Sequence, residues 1–456
     1  MASENKKQFD VGILGWWYGK NYGSILTYYG LNQALVGLGQ KVLMIHEPLG
    51  YNNYRVKWSD DILSMEFARR AGYQYTAQQH YSTLPALGEK VETFMVGSDQ
   101  LWNPLIGRVN DDLFLDFVPQ GSRRVAYATS FGNRGISKFK PEFVEKHSHN
   151  LQKFDAISVR EGYAVNTART VFGAKADLVV DPVFLLPREK YESLAEQSTT
   201  KLSGDYLAVF FLDPTPEKKA VALAIADKLG LQRIVVIPNP DRGRKLSAQI
   251  FKGDRFEILA EDAPENFLQA YSKANYVLTD SFHGSAFAVI FGKPFSSIYN
   301  TRRGVDRFRN LMASLGFDDS RRVYEADTAE QIQQNPNVSF DIDYTKANHH
   351  IETERKNSLR WLKAAVSGQP AQAGLLGTIK EKYQSLIPGK DRFDEQDSAV
   401  VERPKFFSNN AAWQINPSKN STELKVAQGA AVRGNLAWCE LPMSLSKQSA
   451  YRLTIK

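Results

Sequence analysis

The chain has 456 residues, 43% hydrophobic and 12% aromatic, enough apolar material for roughly two or three packed domains. No run approaches the roughly 20 apolar residues of a membrane span, and the polar start Met1–Asp10 has no apolar segment of signal-peptide type, so a cytoplasmic protein is expected. The single cysteine, Cys439, excludes an internal disulfide framework and a Cys-rich zinc site, and the net charge of +7 is spread without a long basic block, which suits an anionic substrate or a membrane surface and argues little for nucleic acid.

From Phe9 to about Pro187 strand and helix patterns alternate. Strands are expected at Phe9–Leu14, Val42–Ile45, Thr93–Val96, Arg124–Ala128, Ala156–Val159 and Leu178–Val180, with helices at Ser24–Leu38, Pro141–Phe154 and Gly162–Phe172. This reads as a parallel α/β domain over 8–190. The polar stretch before Ser203 marks a boundary. A second α/β unit, 203–366, carries strands Tyr206–Phe211, Ile234–Ile237, Tyr276–Leu278 and Phe295–Ile298. Its helices are expected near Glu217–Leu229, Pro264–Tyr271, Gly284–Phe291 and Asp306–Leu315, and a long closing helix, Asp343–Val366, should pack back across both halves. Residues 367–403 read as a linker with a short helix near Leu376–Leu386. From 404 to 456 short Thr/Ser/Asn-rich strands, such as Ala412–Ile415 and Tyr451–Lys456, suggest the start of a β-rich module that is expected to continue beyond Lys456.

In doubly wound sheets ligands bind outside the carboxyl ends of strands, so the turns there bear the chemistry. After the first strand, Gly15–Ser24 is a glycine-rich loop without P-loop or dinucleotide spacing. Ser24 is a candidate cap, and Trp16, Trp17 and Tyr18 suggest either a sugar-stacking platform or a connecting loop. Gly97–Asn103 concentrates Ser98, Asp99, Gln100, Trp102 and Asn103, a mixture suited to polyols or to an N-cap. Arg160 next to Glu161 can grip a carboxylate or phosphate, or simply form a salt bridge. Tyr276–Ser285 reads as a buried strand delivering Ser281 and His283 into a helix start. Backbone N–H groups of Gly284, Ser285 and Ala286 are expected to be unpaired there and to favour an anion; the alternative is a capping turn with a packed His. Thr301–Arg309 places Arg302, Arg303, Arg307 and Arg309 around Asp306, a phosphate site or a solvated basic face. His147, His149, His349 and His350 fall on polar helical stretches and are expected in solvent.

Taken in order, Asn21-Tyr22-Gly23, Gly97–Asn103, Ser158-Val159-Arg160-Glu161, Asp181-Pro182 and Asp280-Ser281-Phe282-His283-Gly284 resemble the polysaccharide pyruvyl transferase family, over about Val11 to Leu315. The resemblance implies two Rossmann-like lobes in a GT-B-like arrangement, with the site in the cleft. It implies transfer of the pyruvate unit of phosphoenolpyruvate onto two hydroxyls of one sugar, forming a cyclic ketal in a bacterial surface polysaccharide or its precursor, without a metal or organic cofactor. It makes His283 the general acid/base and Arg160 a donor-binding residue. Gly284, Ser285, Arg302, Arg303 and Arg307 would hold phosphate, and Asn21, Tyr22, Gly23, Ser98, Asp99, Asn103 and Ser281 would line the cleft. Expected partners are phosphoenolpyruvate and a sugar or lipid-linked glycan acceptor, with membrane contact at most peripheral at the inner face; a homo-oligomer is compatible. Several family members carry a basic residue two positions before the His and an aliphatic one next to it, where this chain has Ser281 and Phe282. That departure keeps open a GT-B glycosyltransferase using a nucleotide sugar and a non-catalytic glycan-binding subunit.

Overall fold

Short unbroken apolar runs such as Val42–Ile45 and Ile234–Ile237 are buried along their whole length, as expected of parallel strands covered on both faces. The computed structural model describes residues 7–49, 59, 61–106, 111–132, 138–240, 243–300, 304–369, 406–408, 413–417, 422–426 and 437–439. The chain divides into two units, Met1–Leu386 and Ile387–Lys456.

Within the first unit, one sheet contains β1 (Phe9–Leu14), β2 (Val42–Ile45), β3 (Gln74–Tyr75), β4 (Val91–Val96), β5 (Arg123–Ala126), β6 (Ala156–Val159) and β7 (Asp177–Leu178), in the order β3-β2-β1-β4-β5-β6-β7. The other contains β8 (Leu207–Phe210), β9 (Ile234–Ile237), β10 (Phe256–Ile258), β11 (Tyr276–Thr279), β12 (Phe295–Ile298) and β13 (Arg322–Val323), in the order β10-β9-β8-β11-β12-β13. Every neighbouring pair in both sheets is parallel. Strand order therefore reverses between β1 and β4 in one lobe and between β8 and β11 in the other, and those are the crevices where such folds bind ligands.

The helices are α1 (Tyr22–Gly37), α2 (Leu63–Arg70), α3 (Pro141–Leu151), α4 (Gly162–Phe172), α5 (Arg188–Ala195), α6 (Pro216–Lys228), α7 (Arg244–Ile250), α8 (Pro264–Lys273), α9 (Phe282–Ile290), α10 (Val305–Leu315), α11 (Ala329–Gln334) and α12 (Thr345–Ser367). No described helix is long and apolar enough to cross a membrane. The expected long helix is α12, which ends where Gly368 takes a left-handed φ of 70°. It returns from the second lobe onto the first: Trp361 Nε1 donates to Asp177 at 2.9 Å, Ser358 Oγ accepts from Val180 N at 3.0 Å, and Arg355 Nε donates to the Phe184 carbonyl at 2.8 Å.

Three edge strands, β3, β10 and β13, and four short helices, α2, α5, α7 and α11, have no counterpart in the sequence expectations. They span two to eight residues, too few for a periodicity to show. In the second unit, β14 (Phe406–Ser408) pairs antiparallel with β17 (Ala437–Cys439), and β15 (Trp413–Pro417) with β16 (Thr422–Val426). The expected helix at Leu376–Leu386 and strand at Tyr451–Lys456 lie outside the described residues.

Candidate active site at the meeting of the two lobes

Strand β11 delivers Asp280, a fully buried carboxylate. It accepts from Leu212 N at 2.6 Å, from Asp213 N at 3.2 Å and from Lys218 Nζ at 2.8 Å. It thus ties together the carboxyl ends of β8 and β11. Ser281 then caps α9: its Oγ accepts from Gly284 N at 3.2 Å, and its carbonyl from Ser285 N at 2.9 Å. This corrects the expectation of an open anion cradle. Helix α9 begins at Phe282, two residues earlier than anticipated, and the N–H groups of Gly284 and Ser285 are already used. Gly284 packs so closely that a Cβ there would stand 2.3 Å from Thr279 Oγ1, while Ser285 Oγ lies 2.7 Å from Ser297 Oγ.

The cap directs His283 toward the first lobe. Its Nε2 lies 2.9 Å from Thr27 Oγ1 of α1 and 3.6 Å from Asp181 Oδ2. Its Nδ1 edge faces Gly23, where a Cβ would stand 2.4 Å away. Asp181 in turn receives Arg160 Nη1 at 2.5 Å. The same guanidinium donates to Ser98 Oγ at 3.2 Å, to Asp99 Oδ1 at 3.3 Å and, through Nε, to Glu161 Oε1 at 3.1 Å. It lies 4.9 Å from the centre of the Phe282 ring, and Arg307 lies 5.7 Å from that centre. Arg160 is therefore the hub of a buried ion network, with its donors directed at protein carboxylates. This corrects its assignment as a direct grip on the donor.

The charges are mutually determined. Burial opposes ionisation of Asp181, but Arg160 first and His283 next hold its carboxyl well below the usual range. Asp99 is held low in the same way, with Arg160, His283 and Arg307 outweighing burial. Glu161 goes the other way: burial raises it more than Arg160 and Ser130 lower it. For Arg160 the surrounding carboxylates, led by Asp181, overcome burial and strengthen its hold on the proton, whereas burial and the neighbouring Arg160 charge lower Arg307.

The remaining predicted residues take definite places. Asn21 caps α1 by accepting from Ser24 N at 3.1 Å, so Ser24 is not the cap and instead donates to Asp99 at 3.3 Å. Tyr22 is buried between the lobes, its ring 5.3 Å from that of Phe267 and its hydroxyl 3.3 Å from Asp262. Buried Ser98 donates to the Ala128 carbonyl at 3.0 Å, and Asn103 donates to Gln100 at 3.0 Å. Asp99 adopts a left-handed φ of 85°. Arg307 lies buried on the first turn of α10, while Arg302 and Arg303 fall outside the described residues.

The aromatic platform expected at Trp16–Tyr18 is instead packed: Trp17 donates to the Ile45 carbonyl at 2.7 Å, and Tyr18 stacks on His46 at 5.1 Å. Trp102 is likewise fully buried, donating to the Leu113 carbonyl at 2.8 Å. His147 is not in solvent either. It stacks on Phe114 at 3.7 Å, and burial lowers it to about 4. Asp181 and Thr27 were missed as site residues. Asp181-Pro182 was visible as a motif without a role, whereas Thr27, a single threonine inside a helix, gives no signal in sequence.

Among the described residues no cluster of three or more His, Cys, Asp or Glu could hold a metal ion. No curated protein matches the chain. Among solved structures, a protein described as a UDP-N-acetylglucosamine 2-epimerase from Listeria monocytogenes superposes with a TM-score of 0.52 at 10% identity, covering 78% of this chain and 95% of that one. The UDP-GlcNAc 2-epimerase from Methanocaldococcus jannaschii gives 0.46 at 14% identity, covering 74% and 97%. At these identities the likeness concerns the fold alone, which is GT-B-like: two Rossmann-like lobes facing one another. The family model for polysaccharide pyruvyl transferases matches residues 21–302, a span running from the cap of α1 through the network around Arg160 to His283 and beyond. The chain belongs to the polysaccharide pyruvyl transferase family, a family of transferases.

Proposed function

We propose that the protein transfers the pyruvate unit of phosphoenolpyruvate onto two hydroxyls of a sugar in a surface polysaccharide or its precursor, closing a cyclic ketal. The observation that carries this reading is His283, supplied by the second lobe at its switch point and seated on Gly23, Thr27 and Asp181 of the first.

The reaction protonates the vinyl carbon of the donor, so that the neighbouring carbon becomes an oxocarbenium-like electrophile. One sugar hydroxyl adds there with loss of its proton, phosphate leaves, and the second hydroxyl closes the ring with loss of another. An imidazole, whose ordinary pKa lies near neutrality, suits proton exchange of this kind. Asp181, kept ionised by Arg160, fixes the ring's orientation. We assign the departing phosphate to Arg307, which is buried on the first turn of α10 and lies 5.7 Å from the centre of the Phe282 ring, with Arg302 and Arg303 in the same stretch. Ser281, where relatives carry a basic residue, is engaged in capping α9, so the phosphate falls to that arginine segment.

The test is incubation of the protein and its His283→Ala variant with phosphoenolpyruvate and a panel of nucleotide- and lipid-linked sugars, following phosphate release and product mass. Acceptor-dependent phosphate with a product of pyruvate-ketal mass, both lost in the variant, is expected. Absence of both, together with thermal stabilisation by a nucleoside diphosphate, would replace this reading with glycosyl transfer.

A further inference from the structure

The two ring nitrogens of His283 have unlike surroundings. Nε2 lies 2.9 Å from Thr27 Oγ1 and 3.6 Å from Asp181 Oδ2. Thr27 is fully buried on α1, and its hydroxyl is paired with this nitrogen. Asp181 is held ionised by Arg160. An ionised carboxylate only accepts, whereas a hydroxyl accepts as readily as it donates. Both neighbours are therefore satisfied when a neutral ring carries its proton on Nε2. At 3.6 Å Asp181 supplies attraction rather than a hydrogen bond, so the bond itself belongs to Thr27.

Nδ1 differs. It makes no hydrogen bond among the described residues. The His283 side chain keeps 9% of its surface exposed, and Nδ1 is not one of the buried side-chain atoms without a partner, so the exposed part of the ring includes this nitrogen. It lies on the side of Gly23, at the first turn of α1.

We infer that Nδ1 is the nitrogen through which His283 exchanges protons with the substrates, and that Thr27 is the positioning residue that keeps the proton on Nε2. The inference rests on the pyruvyl-transfer reading for the identity of the substrates, and on the geometry alone for the tautomer. The imidazolium gives its Nδ1 proton to the vinyl carbon of the donor. The lone pair left on Nδ1 takes the proton of the first sugar hydroxyl as that oxygen bonds to the neighbouring carbon. The bond from this carbon to the phosphate oxygen then breaks, and the proton of the second hydroxyl leaves with the phosphate as the ring closes. The Nε2 proton stays on Thr27 throughout. The reacting atoms accordingly belong on the Gly23 edge of the imidazole, beside the turn Asn21-Tyr22-Gly23.

Nitrogen NMR of the free, histidine-labelled protein reads the tautomer directly, with His283→Gln identifying the signal among those of seven histidines. At about pH 9, above the ordinary imidazole range, a protonated Nε2 with a slowly exchanging proton and an unprotonated Nδ1 are expected. Thr27→Val keeps the shape of the side chain and removes the hydroxyl. It should lose the slowly exchanging proton and, with phosphoenolpyruvate and the sugar panel, about tenfold in kcat, with KM for phosphoenolpyruvate unchanged; Thr27→Ser should recover both. The reverse tautomer in the unmodified protein overturns the assignment of Nδ1. An unaltered Nε2 proton and unaltered turnover in Thr27→Val overturn the role of Thr27. The expected spectra without turnover of any sugar by the unmodified protein uphold the tautomer and count against pyruvyl transfer instead.

Discussion

At the scale of single residues the site depends on a missing side chain. Alanine in place of a helical glycine normally gains about 1 kcal/mol, so helix propensity alone says that Gly23→Ala should stabilise α1. The contact says otherwise, because the new Cβ would stand 2.4 Å from His283 Nδ1 and 2.8 Å from its Cγ. The imidazole must leave Thr27 and Asp181. Steady-state kinetics should show turnover falling by about two orders of magnitude, as expected for a reacting group misplaced by an ångström, while the melting temperature moves little; unchanged turnover would sink the placement of His283. Away from the site, Asp112 is raised to about 8, first by burial and then by Glu47 and Asp116, and its Oδ1 has no hydrogen-bond partner among the described residues. The folded state therefore binds a proton that the unfolded chain has already released above about pH 4. Stability from this group is present at low pH and is lost as pH rises through 8, by on the order of a few kcal/mol. Urea titrations across that range should show a decline for the native protein that is largely flattened in Asp112→Asn.

At the scale of elements, caps and returns decide what the helices can do. Ser281→Ala removes the Oγ that receives Gly284 N and should cost about 1 kcal/mol. Chemical denaturation reads that cost directly, and a variant as stable as the native chain would show the cap to be immaterial. The same bond explains why Gly284 N at the start of α9 is not open to an anion, although the sequence there has the small residues of an anion site. On α12, Trp361 is buried, lies 5.9 Å from the Tyr127 ring and donates to Asp177. Trp361→Ala should cost about 3–5 kcal/mol and loosen β7. Interior strands were legible: β1, β2, β6, β9 and β12 begin and end where the sequence places them. The short edge strands were not, because β3 and β13 hold two residues each and exist through register with a neighbour.

At the scale of the whole two-lobed unit, the lobes are joined by side chains of opposite origin. Tyr22 stacks on Phe267, Arg70 grips Glu265 through Nε and Nη2 at 2.8 and 3.1 Å, and His283 reaches Thr27. The Arg70 pair is partly exposed and contributes orientation more than stability. The buried aromatic contact does more of the holding. Tyr22→Ala should accelerate amide hydrogen exchange in α1 and α8 together and, through the Phe267–Phe287 contact, in α9. Acceleration confined to α1 would show that the ring does not couple the lobes.

The sequence by itself determined the alternation of strands and helices, the parallel architecture and the order of motifs at the carboxyl ends of the strands. Those follow from which faces are apolar, a local and periodic property. Tertiary structure decided how each polar group is used. Thr27 meets His283 across 256 positions, Ser98 and Asp99 converge on Arg160 from 62 and 61 positions away, and the Trp17 indole reaches Ile45. A side chain's type states what it can donate or accept, but its partner is set by distant segments brought together when the sheets form. Arg160 therefore read as a ligand grip and proved a hub, and Glu161 read as its counter-ion and proved to keep one oxygen unmatched.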